Sequence, residues 1–337
     1  MSPPAPSASS PTLPLWPAGV PLPARLRELV EYVRGPGPDQ FGDLELDNLA
    51  DDFLVAYFGK DEPDVMARFP RKLAFFAREG GGGQVGLWML DDAPSDRWPV
   101  VSLDSEGGML VAGDSMEDFL RVMAGSWNED DAGTFTGDEK FRAWAAGIGV
   151  QPYEHPQQRL LELNPATLQF RRWFAQQKRD IHRALYPDRS LVIDVVPGVS
   201  VGPIRLGAPR AEVDAALGAP KFASWQKPTT PEQTAFYEAV PYVVETERAT
   251  TKVTGVTLYA GHYIVRLPDG FEPMFAPEAD AKRWLSGHAP DAGGEGLQLI
   301  SQSLGLSMSL TTGHGRFHDP SGYRWVDGLT FAPAPAA

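Results

Sequence analysis

The chain is predicted to be α+β, an antiparallel meander sheet packed by helices, followed by a second, smaller α+β domain. Three observations carry this. Short apolar runs separated by glycine- or aspartate-containing turns recur between Lys72 and Ala112. Amphipathic helix patterns surround them, with a capped one from Ser115 to Met123. A new set of strand and helix patterns then opens at Leu191, beyond the polar stretch Tyr186-Pro-Asp-Arg-Ser190.

In chain order, a first helix is expected over Ala24 to Arg34, where Leu26, Leu29, Val30 and Val33 recur at helical spacing and Gly35-Pro-Gly-Pro38 stops it. Phe41 to Leu49 alternates as a strand with Leu44 and Leu46 on one face. A helix is expected from Glu62-Pro63 through Phe69, with the proline near its first position. Lys72 to Arg78 leads into the glycine run Gly80 to Gly83, after which Gln84 to Leu90, Pro99 to Leu103 and Met109 to Ala112 read as three sequential meander strands. Ser115 with Asp118 three residues on resembles a capping box with a shorter acid, and places Phe119, Leu120 and Met123 inward.

Asn128 to Gly137 reads as an acidic loop, followed by helices over Asp138 to Ala146 and Pro165 to Leu185. The longer one carries Arg171, Arg172, Lys178, Arg179 and Arg183 on its outer face. After Ser190, Leu191 to Val196 is an apolar strand, and Pro209 to Leu217 is a helix between proline and Gly218. Val253 to Tyr259 and His262 to Leu267 are expected to pair as a hairpin, before a helix over Ala276 to Ser286 and strands at Leu297 to Ile300 and Leu304 to Leu310. No tandem repeat is evident. The expected division is a disordered Pro/Ser leader over 1–19, a first domain with a helical extension over 20–186, a second α+β domain over 190–331, and a disordered tail over 332–337.

The 337 residues include no cysteine, which excludes disulfides, thiolate zinc sites and thiol nucleophiles and suits a reducing compartment. No run approaches a membrane-spanning length, and the N-terminus lacks the charged and apolar regions of a secretory signal. The expected location is therefore cytoplasmic, with no membrane partner. The net charge of −14 is unevenly spread. Between Asp39 and Glu139 stand 23 acidic against 7 basic residues, whereas Lys140 to Ser190 holds 4 against 9. An acidic surface repels phosphate backbones, which disfavours direct nucleic-acid binding, and it attracts a basic protein.

No motif carries catalysis. Gly80 to Gly83 lacks the cation and following helix of a phosphate cradle and reads as a turn. Asp43, Glu45, Asp47, Asp51 and Asp52 lack the glycine and spacing of a calcium loop. His314 and His318 lie among glycines that disfavour a shared helical face, and His155, His182, His262 and His288 have no nucleophile context. The expectation is no catalytic residue, no cofactor and no metal.

Four stretches together resemble the SUKH superfamily: Phe41-Gly-Asp-Leu-Glu-Leu46, Arg71 to Trp88, Pro99-Val-Val-Ser-Leu-Asp-Ser-Glu-Gly107, and Val111 to Met123. They cover about a quarter of the chain and mark two central strands, the turn before them and a covering helix. The resemblance implies protein binding, since the superfamily includes fungal cell-wall assembly regulators and bacterial immunity proteins. Pro197 to Pro220 is similar to a stretch of small outer-membrane assembly lipoproteins and of domains in immunity-associated proteins, and implies a strand, glycine turn and short helix. With no cysteine for lipidation, an envelope role is not expected. Together these resemblances imply an immunity protein that binds and neutralises a cognate toxin, with a basic nuclease as the candidate class, against the alternative of a regulatory or scaffold module. The partner surface is expected at Asp91, Asp92, Asp96 and Trp98, and at Asp104 and Glu106.

Overall fold

In the computed structural model the described residues are 13, 16–17, 19–35, 40–41, 44–46, 72–104, 108–126, 137–188, 190–220, 222–223, 232–237, 242–247, 249–259, 261, 263–311 and 323–334. The architecture is mixed α+β with antiparallel sheets. Two compact units divide inside a long helix, between Trp173 and Phe174. Among the described residues no helix is long and apolar enough to cross a membrane.

The first unit is built on a six-stranded antiparallel meander in sequence order. Its strands are β1 (Gln40–Phe41), β2 (Leu44–Leu46), β3 (Leu73–Glu79), β4 (Gln84–Trp88), β5 (Val100–Leu103) and β6 (Met109–Gly113). Phe41 stands opposite Leu44, so the single strand expected from Phe41 onward is instead a hairpin. The helix expected over 62–69 and most of the acidic loop over 128–137 lie outside the described residues. Helix α1 (Ala24–Arg34) buries Leu26, Leu29, Val30 and Val33, the spacing that predicted it.

Helix α2 (Met116–Met123) is capped by Ser115, whose side chain accepts from the Asp118 amide at 3.1 Å. Asp118 accepts in return from the Asp114 amide at 2.8 Å, one residue earlier than a capping box would place it. Asp138 caps α3 (Glu139–Gly147), accepting from the Phe141 amide at 2.6 Å. An additional helix, α4 (Pro156–Glu162), precedes α5 (Asn164–Leu185) and starts on a proline that suits its first turn. Trp88 lies 5.3 Å from Phe170 and 5.5 Å from Trp173, ring centre to ring centre, joining the sheet to α5.

In the second unit, β7 (Val192–Val196), β8 (Ser200–Val201) and β9 (Ile204–Arg205) lead into α6 (Arg210–Leu217). Strands β10 (Phe222–Ala223), β11 (Glu232–Phe236), β12 (Tyr242–Glu247) and β13 (Val253–Tyr259) follow. After β14 (Ile264–Arg266) come α7 (Glu278–His288), β15 (Gly293–Glu295), β16 (Gln298–Ser301), β17 (Leu306–Thr311) and β18 (Trp325–Phe331). The expected hairpin of Val253 to Tyr259 with the segment ending at Leu267 does not form. β13 is paired on both sides by β12 and β18, and β14 pairs in parallel with β7 instead.

The eight-stranded sheet has the order β10-β11-β12-β13-β18-β17-β16-β15, which reads the same from either edge if one four-strand meander is exchanged for the other. The likeness extends to single hydrogen bonds. Gly207 N–H donates to Val253 and Phe275 N–H to Val326, both at 2.9 Å. Val253 N–H returns to Ala208 and Val326 N–H to Ala276, again both at 2.9 Å. Pro209 precedes α6 and bridges to Lys252; Pro277 precedes α7 and bridges to Trp325. The β12/β13 pair slips at Glu245/Thr246, and the β17/β18 pair slips at the matching Ser309/Leu310. Seen on these equivalences, Val253-Thr-Gly-Val-Thr257 matches Val326-Asp-Gly-Leu-Thr330, and Ala208-Pro209 matches Ala276-Pro277. The second unit therefore is a two-fold internal repeat, which corrects the expectation of none. Both halves contribute to one core, with Ile193, Val244 and Val256 from the first and Val265, Met308 and Leu329 from the second.

Candidate partner-binding surface

The acidic turn expected to meet a partner connects β4 to β5, and its conformation follows from its own hydrogen bonds. Trp98 Nε1 donates to the carbonyls of Leu90 at 3.1 Å and Ala93 at 3.0 Å. Arg97 N–H donates to Pro94 at 2.9 Å, and Trp88 N–H to Pro99 at 2.8 Å closes the strand ends. Trp98 is half-buried with its N–H spent on its own loop, so it holds the turn in shape rather than offering a partner its polar edge.

Asp91, Asp92 and Asp96 are exposed on this turn. Asp91 forms an ion pair with Lys72. Asp92 and Asp96 form none among the described residues. Asp104 stands at the opposite end of the sheet, because the six-residue step from Trp98 to Asp104, β5 included, spans roughly 20 Å of extended chain. There its carboxylate accepts from Gly108 N–H at 2.7 Å, while its own N–H donates to the Gly108 carbonyl at 2.9 Å. Asp104 is thus a turn-closing residue, and Glu106 lies outside the described residues. Asp104 therefore does not make one patch with Asp91, Asp92, Asp96 and Trp98.

What joins Asp91 to Trp98 is the start of α2, because Val100 stands opposite Gly113 at that end of β5/β6. Asp114 and Glu117 are exposed there, each ion-paired, with Arg159 and Arg25 respectively. Beneath them Asp118 is buried and accepts from Arg159 (Nε at 3.2 Å, a terminal nitrogen at 2.9 Å) and from the Tyr153 hydroxyl at 2.5 Å. Burial pushes the Asp118 carboxyl up, but these hydrogen bonds outweigh it and hold it below the ordinary carboxylate value. Burial raises the Tyr153 hydroxyl, and the Asp118 charge adds to the rise. The Arg121 guanidinium lies 3.9 Å over the Tyr153 ring. Sequence reading identified Asp118 only as a capping residue. Nothing local marks Arg159, 41 positions away, as its partner.

Other polar clusters are structural. In the hairpin turn at Gly80 to Gly83, Glu79 N–H donates to the Gly83 carbonyl at 2.9 Å, and β4 follows directly. Glu45 pairs with Arg78 at 3.0 Å, whereas Asp43, Asp47, Asp51, Asp52, His262, His314 and His318 lie outside the described residues. Asp291 accepts from the Ser303 hydroxyl and amide and from Ser301, which hold its carboxyl at about 2. His288 faces two acceptors, the Trp284 carbonyl at 2.8 Å and Asp269 at 3.4 Å, and stacks on Trp284 at 4.3 Å. Among the described residues no group of three or more His, Asp or Glu side chains could hold a metal ion.

Comparison with family models, with curated proteins and with solved structures found no match.

Proposed function

We propose that the chain is a non-enzymatic immunity protein that binds and neutralises a basic toxin in the cytosol, meeting it through the acidic turn between β4 and β5. The observation that supports this most is the state of Asp92 and Asp96. Both are exposed on a turn pinned by Trp98, and neither is ion-paired among the described residues, although Asp91, Asp114 and Glu117 beside them are. Unneutralised charge on a rigid turn steers a basic partner and costs little ordering on contact. The SUKH resemblance over Phe41 to Met123 supports protein binding, and the excess of acid between Asp39 and Glu139 supports a basic partner. The absence of cysteine supports a reducing compartment.

The test pairs the chain with the toxin domain encoded beside its gene and measures association against ionic strength. Reversing Asp92 and Asp96 together to Lys should slow association at low salt by tenfold or so and flatten the salt dependence. An unchanged rate at low salt would remove this turn from the interface. A regulatory or scaffold role would be indicated instead if no adjacent gene product binds.

A further inference from the structure

The internal repeat makes one surface of the second unit complementary to itself. β13 and β18 occupy equivalent places in their halves and pair antiparallel, Val256 opposite Phe331, Thr257 opposite Thr330 and Leu258 opposite Leu329. On the repeat's equivalences, Val256 matches Leu329 and Leu258 matches Phe331, so each of these pairs exchanges into the other. The Thr257/Thr330 pair exchanges into itself, and its two hydroxyls lie 3.0 Å apart on the pseudo-two-fold axis. This is the arrangement of an isologous dimer interface, here formed within one chain. Val256, Leu258, Leu329 and Phe331 are fully buried at it, so neither half can leave its seam open to water.

The two halves are joined only through the segment from Tyr259 to Ile264, four intervening residues, beyond which β14 pairs in parallel with β7. If β14 of one copy leaves its own β7 for that of another, the second half of one copy can occupy the same place against the first half of another. Every contact of the seam and of the β7/β14 pair is then remade, and only the connector differs. We propose that two copies of this chain form such an exchanged dimer, with β13 of each paired to β18 of the other. The partner fitted to this surface is a second copy of the chain. The idea stands apart from the acidic turn, which belongs to the first unit.

The absence of cysteine makes the exchange directly readable. Thr257→Cys and Thr330→Cys are prepared as two separate single variants of the full chain, unfolded under reducing conditions, mixed, refolded over a range of concentrations and oxidised. A disulfide between position 257 of one molecule and position 330 of another requires the exchanged seam, while either variant refolded alone offers no such pair. The expected result is a linked dimer from the mixture, several-fold more at the highest concentration than at the lowest, and none from either variant alone. Equal linking in the separate variants, or none in the mixture while the double variant closes its bond within one chain, overturns the proposal. A second measurement covers variants that do not fold. Removing Gly261 and His262 from the connector should shift the chain towards a dimer by light scattering, because two connecting residues in place of four shorten the reach from Tyr259 to Ile264 and disfavour closure within one chain. A chain that stays monomeric and folded after this deletion also overturns it.

Discussion

Arg159 of α4 grips Asp118 of α2 across 41 residues of sequence, with Nε and a terminal nitrogen both reaching the carboxylate. The same guanidinium pairs with Asp114 and with Glu162 at 3.3 Å, so one arginine ties the entry of α2 to α4. Asp118 also caps the turn before α2 through the Asp114 amide. A buried carboxylate with this many donors is favoured as the anion, and its loss leaves the donors unmatched.

The first prediction follows. Asp118→Asn should destabilise the first unit by about 2–4 kcal/mol, the cost of leaving a partly buried cation with fewer partners. Glu162→Gln, on the exposed side of the same arginine, should cost under about 1 kcal/mol. The pH dependence has a definite sign. Asp118 is held below its unfolded value, so its contribution is complete above the ordinary carboxylate range and is lost as pH falls through the lower folded value. Denaturant midpoints between pH 7 and pH 2 should therefore fall less steeply in Asp118→Asn than in the parent. A parallel fall in both would refute this role.

The second prediction separates support from contact at Trp98. Trp98→Phe keeps the aromatic body and removes the donor to Leu90 and Ala93. Global stability should change by only about 1 kcal/mol, the usual net value of one hydrogen bond. Amide exchange across Ala93 to Arg97 should accelerate several-fold while β4 and β5 stay protected. Unchanged exchange in this turn would show that the indole N–H does not hold it.

Much of the first unit was legible because its signals are local. The period of Leu26, Leu29, Val30 and Val33, the Ser115 cap and the glycines between β3 and β4 each act within a few residues. The α2 to α4 clamp was not legible, since Arg159 and Asp118 stand 41 positions apart and meet only through tertiary packing. Nor was the split between Trp98 and Asp104 seen, although counting the strand between them would have put them at opposite ends. The repeat escaped for a different reason. Its halves share alternating burial and a backbone bonding pattern that many side chains satisfy, while few identities survive. The matching Ala-Pro dipeptides and the Val-x-Gly-x-Thr phrases were the usable signal, and the unequal loops, such as 248–252 against 312–324, hid their common spacing.

The third prediction uses glycines of the repeat to separate backbone strain from crowding. Gly328 lies in β18 with an ordinary backbone, and a Cβ there would meet nothing nearer than 3.6 Å. Gly328→Ala should stabilise by roughly 0.5 kcal/mol, through the lower entropy of its unfolded chain. Gly207 has φ +75° and open space around a Cβ, so Gly207→Ala isolates the left-handed cost, about 1–2 kcal/mol. Its counterpart in the second half is Phe275 at φ +62°, which bears that cost natively and is buried in return. Gly305 combines both effects. Its φ is +56° and a Cβ would fall 2.1 Å from the Ala332 carbonyl oxygen, a backbone atom that cannot rotate away. Gly305→Ala must therefore displace the segment after β18 and break the 2.7 Å bond from Ala332 N–H to the Gly305 carbonyl. Denaturant unfolding of the three variants should rank Gly328→Ala above the parent, then Gly207→Ala, then Gly305→Ala. If Gly305→Ala proves no worse than Gly207→Ala, the close approach of Ala332 to Gly305 contributes nothing to stability.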